Sequence, residues 1–504
     1  MPPSPAAAAM LPDADGALVV DHRRAWTEAE AQDLIDRIAH RARAVAGGRR
    51  VAVFAENCGE AVLAHVGAMR AGASVVAVNS HLAAPEVAYQ LRTGDVGLVL
   101  AGPGTVERAM AAAAEVEADG GAPCEVRSWA GPGWDDWLAD APSGPPADDR
   151  SIVPNLLFTS GTTGRPKATE LPPNVFPIRA SWADFVEATK ANRFVGLGRH
   201  LVVAPLHHTG PLNAVRALAA GTPIGILPRF DAARMLQAIG AWAIGSTTVV
   251  PTHLARCLAL PADVRARFDG SSLRLVFLTG AACPVDVKQG IIDWWGPVVL
   301  EAYGATEVGV TNSITSEDWL AHPGSVGRSV APYTAIVLDD EGREVSPGVE
   351  GRLCFRDATG RGIVYVGDPE RTAAAHVAPG VFTLGEIGKV DEDGWTYITD
   401  RFSDMVVTGG VNVYPAEMEQ VLVTHPGVAD VAGIGLPHSD LGEQLVALVV
   451  PVDPAAPPSV DELQTWCEAR LSRFKCPREV RIVADLGRNA LGKLDKRSLR
   501  SGHA

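Results

Sequence analysis

Cysteine is scarce and unpaired. The seven residues Cys58, Cys124, Cys257, Cys283, Cys354, Cys467 and Cys476 are odd in number, scattered, and never form a C-x-x-C pair. That spacing argues against both a disulfide framework and a cysteine-held zinc, and it suits a reducing compartment. Long apolar runs are also missing. No uninterrupted stretch approaches the roughly 20 residues a spanning helix needs, so no membrane span is expected. Cations are in deficit, with 44 Lys and Arg against 59 Asp and Glu and a formal net charge of -15. Phosphate backbones are held mainly by Lys and Arg, so nucleic acid is not expected as a partner, although a local basic pocket could still hold one nucleotide. The opening MPPSPAAAAMLPDADGALVV has neither the basic start nor the apolar segment of a signal peptide. It reads as a frayed lead-in, and the expected location is cytoplasmic.

A chain of 504 residues exceeds the length at which one hydrophobic core stops growing, so two or more domains are expected. With 47% hydrophobic and 20% charged residues, the composition is that of an ordinary globular protein. From residue 26, WTEAEAQDLIDRIAHRARAVA carries helical spacing behind a Thr-x-x-Glu capping box. The apolar runs RRVAVFAEN, ASVVAVNS, HLVVAPL, STTVVPT and LRLVFLTG alternate with helical segments. This rhythm predicts an α/β fold: a large N-terminal domain of parallel or mixed sheets with flanking helices. Beyond about residue 325, Asp-Gly and Glu-Gly punctuation predicts antiparallel hairpins and hence a β-rich subdomain. From about 404, the order strand, helix, strand, strand, helix fits a small α+β domain.

The stretch LLFTSGTTGRPKATEL, residues 156–171, raises the chemistry. An apolar strand ending at Phe158 gives way to hydroxyls and glycines, then to Pro166 and Lys167. It is not a Walker loop, because Pro166 separates Gly164 and Arg165 from the lysine and Ala168 stands where a magnesium-binding hydroxyl belongs. Glycines still allow close approach, and a concave run of N–H groups makes an anion nest. A plain surface turn rich in Gly and Thr would have the same composition.

A second motif, EAYGATEVG at residues 301–309, separates these readings. With TSGTTGRPK it resembles the adenylate-forming superfamily of acyl- and aryl-CoA ligases, peptide-synthetase adenylation domains and luciferases. The resemblance implies that Thr159, Ser160, Gly161, Thr162, Thr163, Gly164 and Lys167 cradle the phosphates of ATP. It further implies that Tyr303 stacks on adenine, Thr306 contacts phosphate and Glu307 holds Mg2+. APLHHTGP is similar to the family's Pro-x-x-His segment, with His208 beside the α-phosphate and His207 structural. LTGAA is similar to the wall shared by the adenine and acyl sites, which involves Gly280, Ala281 and Ala282. TLGEIGKVDEDGW resembles the Thr-Gly-Asp segment that grips the ribose hydroxyls, with Glu386 in place of the aspartate.

TDRFSDMVVTGGVNVYPAEME looks like the family's hinge and the start of a mobile domain. By that likeness Arg401 contacts ribose and phosphate, Ser403 is the pivot, and Gly409 and Gly410 border the pantetheine tunnel. NALGKLDKRSLR puts Lys493 in the family's Gly-Lys position, where it would meet the charge developing during adenylate formation. RFKCPREV places Lys475 and Arg478 where relatives bind CoA. The acyl pocket would draw on His208, Thr209, Gly210, His253, Gly280 and Ala302. The expected division is 1–399 for the ATP- and acyl-binding domain, 400–403 for the hinge and 404–504 for the mobile domain.

The resemblance thus implies an ATP-, Mg2+- and CoA-dependent ligase that makes an acyl-AMP from a small carboxylic acid and then an acyl-CoA thioester. HTGPLNAVRALAAG carries no acidic residue to hold an amino group, and the sequence ends without a carrier domain, which favours a free-standing acid:CoA ligase. Three other readings stay open: an acyl-AMP ligase serving a carrier protein, an enzyme performing mainly the thioester half on a preformed adenylate, and a binder that has lost turnover. The acid is not legible in the sequence. Oligomeric state is not legible either, a homodimer being compatible.

Overall fold

The computed structural model describes residues 11–159, 166–281, 283–339, 341–401, 406–413, 415–486 and 496–503. Helix Glu28–Val45 begins as its sequence demands. Thr27 Oγ1 accepts from the Glu30 N–H, and the Glu30 carboxylate accepts from the Thr27 N–H at 2.8 Å, which satisfies two otherwise orphaned donors. Strand Arg50–Phe54 follows. Its alternate side chains enter different cores: Val51 and Val53 pack with helices Glu28–Val45 and Gly59–Arg70, Ala52 and Phe54 with helices Ala84–Thr93 and Val106–Ala118. A strand buried on both faces belongs in a sheet covered by helices on each side.

That sheet has six strands, in the order Glu125–Ser128, Val96–Ala101, Arg50–Phe54, Val75–Val78, Leu156–Thr159 and Lys167–Glu170, all parallel except the final antiparallel pair. A second sheet of nine strands has a parallel centre running through Val299–Ala305, Leu275–Leu278, Ile244–Val249, Arg199–Val202 and Ile224–Ile226. Antiparallel strands close both of its ends. The frayed lead-in expected over the first twenty residues is corrected here. Ala17–Val20 is a strand of this sheet, paired in parallel with Ile224–Ile226, and Val19 and Val20 are fully buried. Four apolar residues suffice for a strand when a long-range partner exists, and local composition does not reveal that partner.

The expected β-rich region is an antiparallel sheet of Tyr333–Leu338, Gly351–Asp357, Val381–Val390, His376–Ala378 and Thr396–Arg401. Beyond it, Val406–Thr408, Val411–Val413, Val428–His438, Gly442–Pro451 and Glu479–Ile482 form another sheet with its own core. Helices Pro415–Leu422 and Val460–Glu468 pack there. Besides the final helix Lys496–His503, the expected order omitted the second strand of the small hairpin 406–413 and the parallel strand Glu479–Ile482. Both are short, and the latter acquires its pairing only against Gly442–Pro451. Among the described residues no helix is long and apolar enough to cross a membrane.

The C-terminal segment touches the larger part at several points. Arg256 pairs with Asp440 at 3.0 Å, and Lys475 with Glu86 at 2.9 Å. Gly410 lies against Val250, so that a Cβ built on it would come within 2.9 Å of Val250 Cγ2.

Candidate active site

The C-terminal ends of the parallel strands, the antiparallel subdomain and the C-terminal segment enclose a cavity of about 1610 Å3. Clefts at strand ends are where open α/β sheets place their ligands. The hairpin Leu156–Thr159 and Lys167–Glu170 forms one side. Thr159 and Lys167 face each other across its ladder, and both line the cavity. Of the expected phosphate cradle, Ser160, Gly161, Thr162, Thr163 and Gly164 lie outside the described residues, as does Ala282.

The strand Val299–Ala305 turns back into Gly309–Ile314 and presents Thr306 and Glu307 at its tip. Gly304 has to be glycine, because a Cβ there would lie 1.9 Å from the Gly309 carbonyl oxygen. Thr159 Oγ1 donates to Glu307 Oε1 at 2.9 Å, which brings the two sequence motifs together. Asn174 Nδ2 donates to the Val308 carbonyl at 3.1 Å, and Arg361 to the Glu307 carbonyl at 3.3 Å, so the tip is held from behind. Burial lowers the Lys167 ammonium below its usual range while the Glu307 carboxylate opposes that shift. Lys167 also sits over the Tyr365 ring at 4.6 Å.

Tyr303 lines the cavity, and its hydroxyl donates to Glu386 Oε2 at 2.6 Å. Glu386 and Arg401 are register partners on the Val381–Val390 and Thr396–Arg401 ladder. The expected ribose carboxylate and the expected arginine therefore leave adjacent backbones, although the Arg401 side chain lies outside the description, as do Ser403 and Lys493.

The residues expected to form the acyl pocket share one cavity: His208, Thr209, Gly210, His253, Gly280 and Ala302 all line it, and so does Ala281. Thr209 Oγ1 and Thr306 Oγ1 are 2.9 Å apart, joining the start of helix Thr209–Ala219 to the Thr306 tip. His208 opens on the cavity with protein around it, and burial lowers it to about 4. It is neutral near pH 7. His207, expected to be structural, lines the same cavity with its ring 4.2 Å from that of His208. His253 stacks on Phe230 at 4.0 Å.

Gly409 and Gly410 reach the cavity from the C-terminal side. The CoA expectation for Lys475 is corrected. Its ammonium is buried between Glu86 Oε1 at 2.9 Å and Glu417 Oε1 at 3.0 Å. Burial alone would lower it, but the two carboxylates outweigh burial and hold it above the usual range. A cation so enclosed has no face left for a nucleotide. Arg478 is exposed and does not line the cavity.

Sequence reasoning missed Asn57, whose buried amide donates to the Ala204 carbonyl and accepts from the Leu206 N–H, both at 3.0 Å, fixing the approach to His207 and His208. Its position just beyond the parallel strand Arg50–Phe54 was the available signal. Also missed was the buried ion pair of Lys288 and Glu301, 2.6 Å apart, of which Glu301 lines the cavity.

Glu307 and the Thr159 hydroxyl offer oxygen donors, and no group of three or more His, Cys, Asp or Glu that could hold a metal occurs among the described residues. This donor set fits Mg2+, which is usually bound by one or two carboxylates plus substrate phosphates and not by an all-protein cage.

A fold of this kind, with nucleotide motifs and a glycine pair converging on one cleft, defines an adenylate-forming enzyme. The chain belongs to the AMP-binding enzyme family: that family's model matches residues 6–362, and the model of the AMP-binding enzyme C-terminal domain matches residues 417–493. It is 31% identical over 474 residues to the long-chain-fatty-acid–CoA ligase FadD13 of Mycobacterium tuberculosis, covering 91% of this chain and 89% of the relative. It is 33% identical over 484 residues to the 3-[(3aS,4S,7aS)-7a-methyl-1,5-dioxo-octahydro-1H-inden-4-yl]propanoyl:CoA ligase of Rhodococcus jostii, covering 90% and 88%. Among solved structures, the amide bond synthetase McbA of Marinactinospora thermotolerans superposes with a TM-score of 0.83 at 27% identity, over 97% of both chains.

Proposed function

We propose that the protein is an ATP-dependent carboxylic acid:CoA ligase that works through an acyl-AMP. The observation that carries this reading is the convergence on one cavity of three sets: Thr159, Lys167 and Glu307; Tyr303 and Glu386; and, from the C-terminal segment, Gly409 and Gly410. The FadD13 and Rhodococcus jostii relatives, both named as CoA ligases, support it.

In the first step a carboxylate oxygen of the acid attacks the α-phosphorus of ATP, and pyrophosphate leaves. Lys167, Arg401 and the motif residues Ser160, Gly161, Thr162, Thr163 and Gly164 position the phosphates. Tyr303 and Glu386 hold the nucleoside. Neutral His208 borders the reacting carboxylate beside the α-phosphate, and Thr306 contacts phosphate. Mg2+ held at Glu307 would supply charge neutralisation at the phosphates. Lys493, assigned by motif, would meet the negative charge that builds at the carboxylate and α-phosphate. In the second step the CoA sulfur attacks the acyl carbon, AMP departs with the former carboxylate oxygen, and the thiol proton passes to solvent.

The proposed division is 1–399, a hinge at 400–403 with its pivot at Ser403, and 404–504. Contact of Gly410 with Val250 matches the arrangement suited to the second step, since side chains absent at Gly409 and Gly410 leave room for a thin thiol arm. Transfer to a carrier protein or to an amine would share the first step. The likeness to the amide bond synthetase McbA keeps the amine acceptor in view. The test is a two-stage assay: acid-dependent pyrophosphate release from ATP, then discharge of the accumulated acyl-AMP by CoA in comparison with amines.

A further inference from the structure

The wall of the cavity beyond Thr209 is polar in a way that adenylation does not require. Asn213 lies four residues after Thr209 on helix Thr209–Ala219 and lines the cavity. Four residues are about one turn, roughly 6 Å along the axis, so Asn213 presents on the same side as Thr209, farther from Thr306. Its Oδ1 accepts from two donors at once, Asn192 Nδ2 at 3.2 Å and Arg216 Nη2. Arginine only donates, so the atom facing Arg216 must be the amide oxygen. The orientation of the Asn192 amide is fixed in turn, because its oxygen accepts from the Phe194 N–H at 3.1 Å. The Asn213 Nδ2 therefore points away from this network, with no hydrogen-bond partner among the described residues.

Arg193 stands in the same wall. It lines the cavity with its guanidinium 4.9 Å from the Phe277 ring centroid, and no carboxylate pairs with it among the described residues. Arg193 is solvent-exposed as a whole, and partial burial of its guanidinium, with no acidic neighbour among the described residues, lowers its pKa below the ordinary arginine range, yet a guanidinium remains charged at neutral pH. Behind them, Arg216 is buried over the Phe176 ring at 5.7 Å, again with no acidic partner among the described residues. A purely hydrocarbon acyl group would leave the fixed Asn213 amide donor facing methylenes without a partner, which is costly, and would make no use of the Arg193 cation at the edge of the same wall.

We infer that the acyl cavity selects an acid bearing a second oxygen acceptor, a carbonyl or carboxylate placed roughly five carbon–carbon bonds from the reacting carboxylate, read by the Asn213 amide N–H and the Arg193 guanidinium. Arg216 and Asn192 are positioning residues that hold the Asn213 amide in its donating orientation. The inference rests on the proposed ligase reading and names the substrate class of that site.

The test is a panel of straight-chain acids of equal length in three arms: unsubstituted, with an oxo group moved stepwise along the chain, and with a terminal second carboxylate. Each is measured by CoA-dependent AMP formation and, independently of turnover, by calorimetric binding to the whole protein. Sites built to hydrogen-bond a polar group reject analogues that lack it. The expected result is a preference of about 10-fold or more in kcat/KM for an oxygen-bearing arm over the unsubstituted acid. Preference for the oxo arm assigns a neutral acceptor and preference for the dicarboxylate an anionic one, and either supports the inference. In Arg193→Met and Asn213→Leu the ratio should fall towards one. Arg193→Met serves if the helix variant folds poorly, since Arg193 is on a loop. A wild-type ratio at or below one overturns the inference, and so does a ratio that both variants leave unchanged. If no acid supports AMP formation, the ligase reading fails, while the binding ratio still decides the selectivity.

Discussion

Lys475 Nζ lies 2.9 Å from Glu86 Oε1, a pairing that joins residues 389 positions apart across the junction of the C-terminal segment and the N-terminal sheets. Ser472 Oγ donates to the other Glu86 oxygen, and Glu417 supports the ammonium from within its own segment. Removing one partner of a buried pair leaves the other charge uncompensated. Glu86→Gln should therefore disfavour the docked arrangement: thioester formation slows by about 10-fold while pyrophosphate release with acid and ATP alone is maintained. Half-reaction kinetics check this. Equal loss in both halves would show the pair to be a general prop.

The Tyr303 hydroxyl and Glu386 carboxylate share a hydrogen bond of 2.6 Å. Glu386→Gln removes a charged acceptor, and hydrogen bonds to charged groups contribute about 1.5–3 kcal/mol, so kcat/KM for ATP should fall by about 10- to 100-fold. Tyr303→Phe keeps the ring and loses only the hydroxyl, so the fall should be only a few-fold. Steady-state kinetics with ATP varied separate the two. Equal, large losses would mean that the hydroxyl, and not the ring, carries the contribution of Tyr303.

Glu307 accepts from Thr159 and faces Lys167. Glu307→Gln should cut acid-dependent pyrophosphate release by about 100-fold and raise the Mg2+ concentration needed for half-maximal rate. A magnesium titration reads both, and an unshifted titration would remove Glu307 from the metal site.

Gly410 combines φ of +80° with a neighbour 2.9 Å from its would-be Cβ. Left-handed backbone costs an ordinary residue about 1–2 kcal/mol, so Gly410→Ala should slow the CoA-dependent step by about 10-fold and spare adenylate formation. Single-turnover discharge of preformed acyl-AMP is the measurement.

Two core histidines predict acid lability. His65 is buried and lowered to about 4, and His200, wholly buried, to about 3. In each, burial is the dominant cause. Each keeps one ring nitrogen without a partner. Between the unfolded value near 6.5 and these folded values the unfolded chain binds more protons, so stability is full above about 6.5 and falls as pH drops towards 4. Each contributes a slope of up to about 1.4 kcal/mol per pH unit. His200→Gln should flatten the decline of the unfolding midpoint between pH 6.5 and 4, as followed by denaturant titration.

Much of this was legible where chemistry is local. The capping box at Thr27 and Glu30, the hairpins after residue 325 and the motif residues Thr159, Lys167, Tyr303 and Glu307 reach their places through short-range patterns. What stayed hidden depends on partners far along the chain. Ala17–Val20 is a strand only because Ile224–Ile226 lies beside it, and Lys475 is enclosed by Glu86 and Glu417, neither of which its local motif reveals. Asn213 reads as one more polar helix residue until Asn192 and Arg216 fix its amide.

The most direct test follows oxygen. With an accepted acid carrying heavy oxygen in its carboxylate, ATP, Mg2+ and CoA, the AMP released should contain one labelled oxygen, because the carboxylate oxygen becomes the bridge to the α-phosphorus and stays with AMP when sulfur attacks. Unlabelled AMP, or label in inorganic phosphate with ADP as the nucleotide product, would contradict the acyl-adenylate.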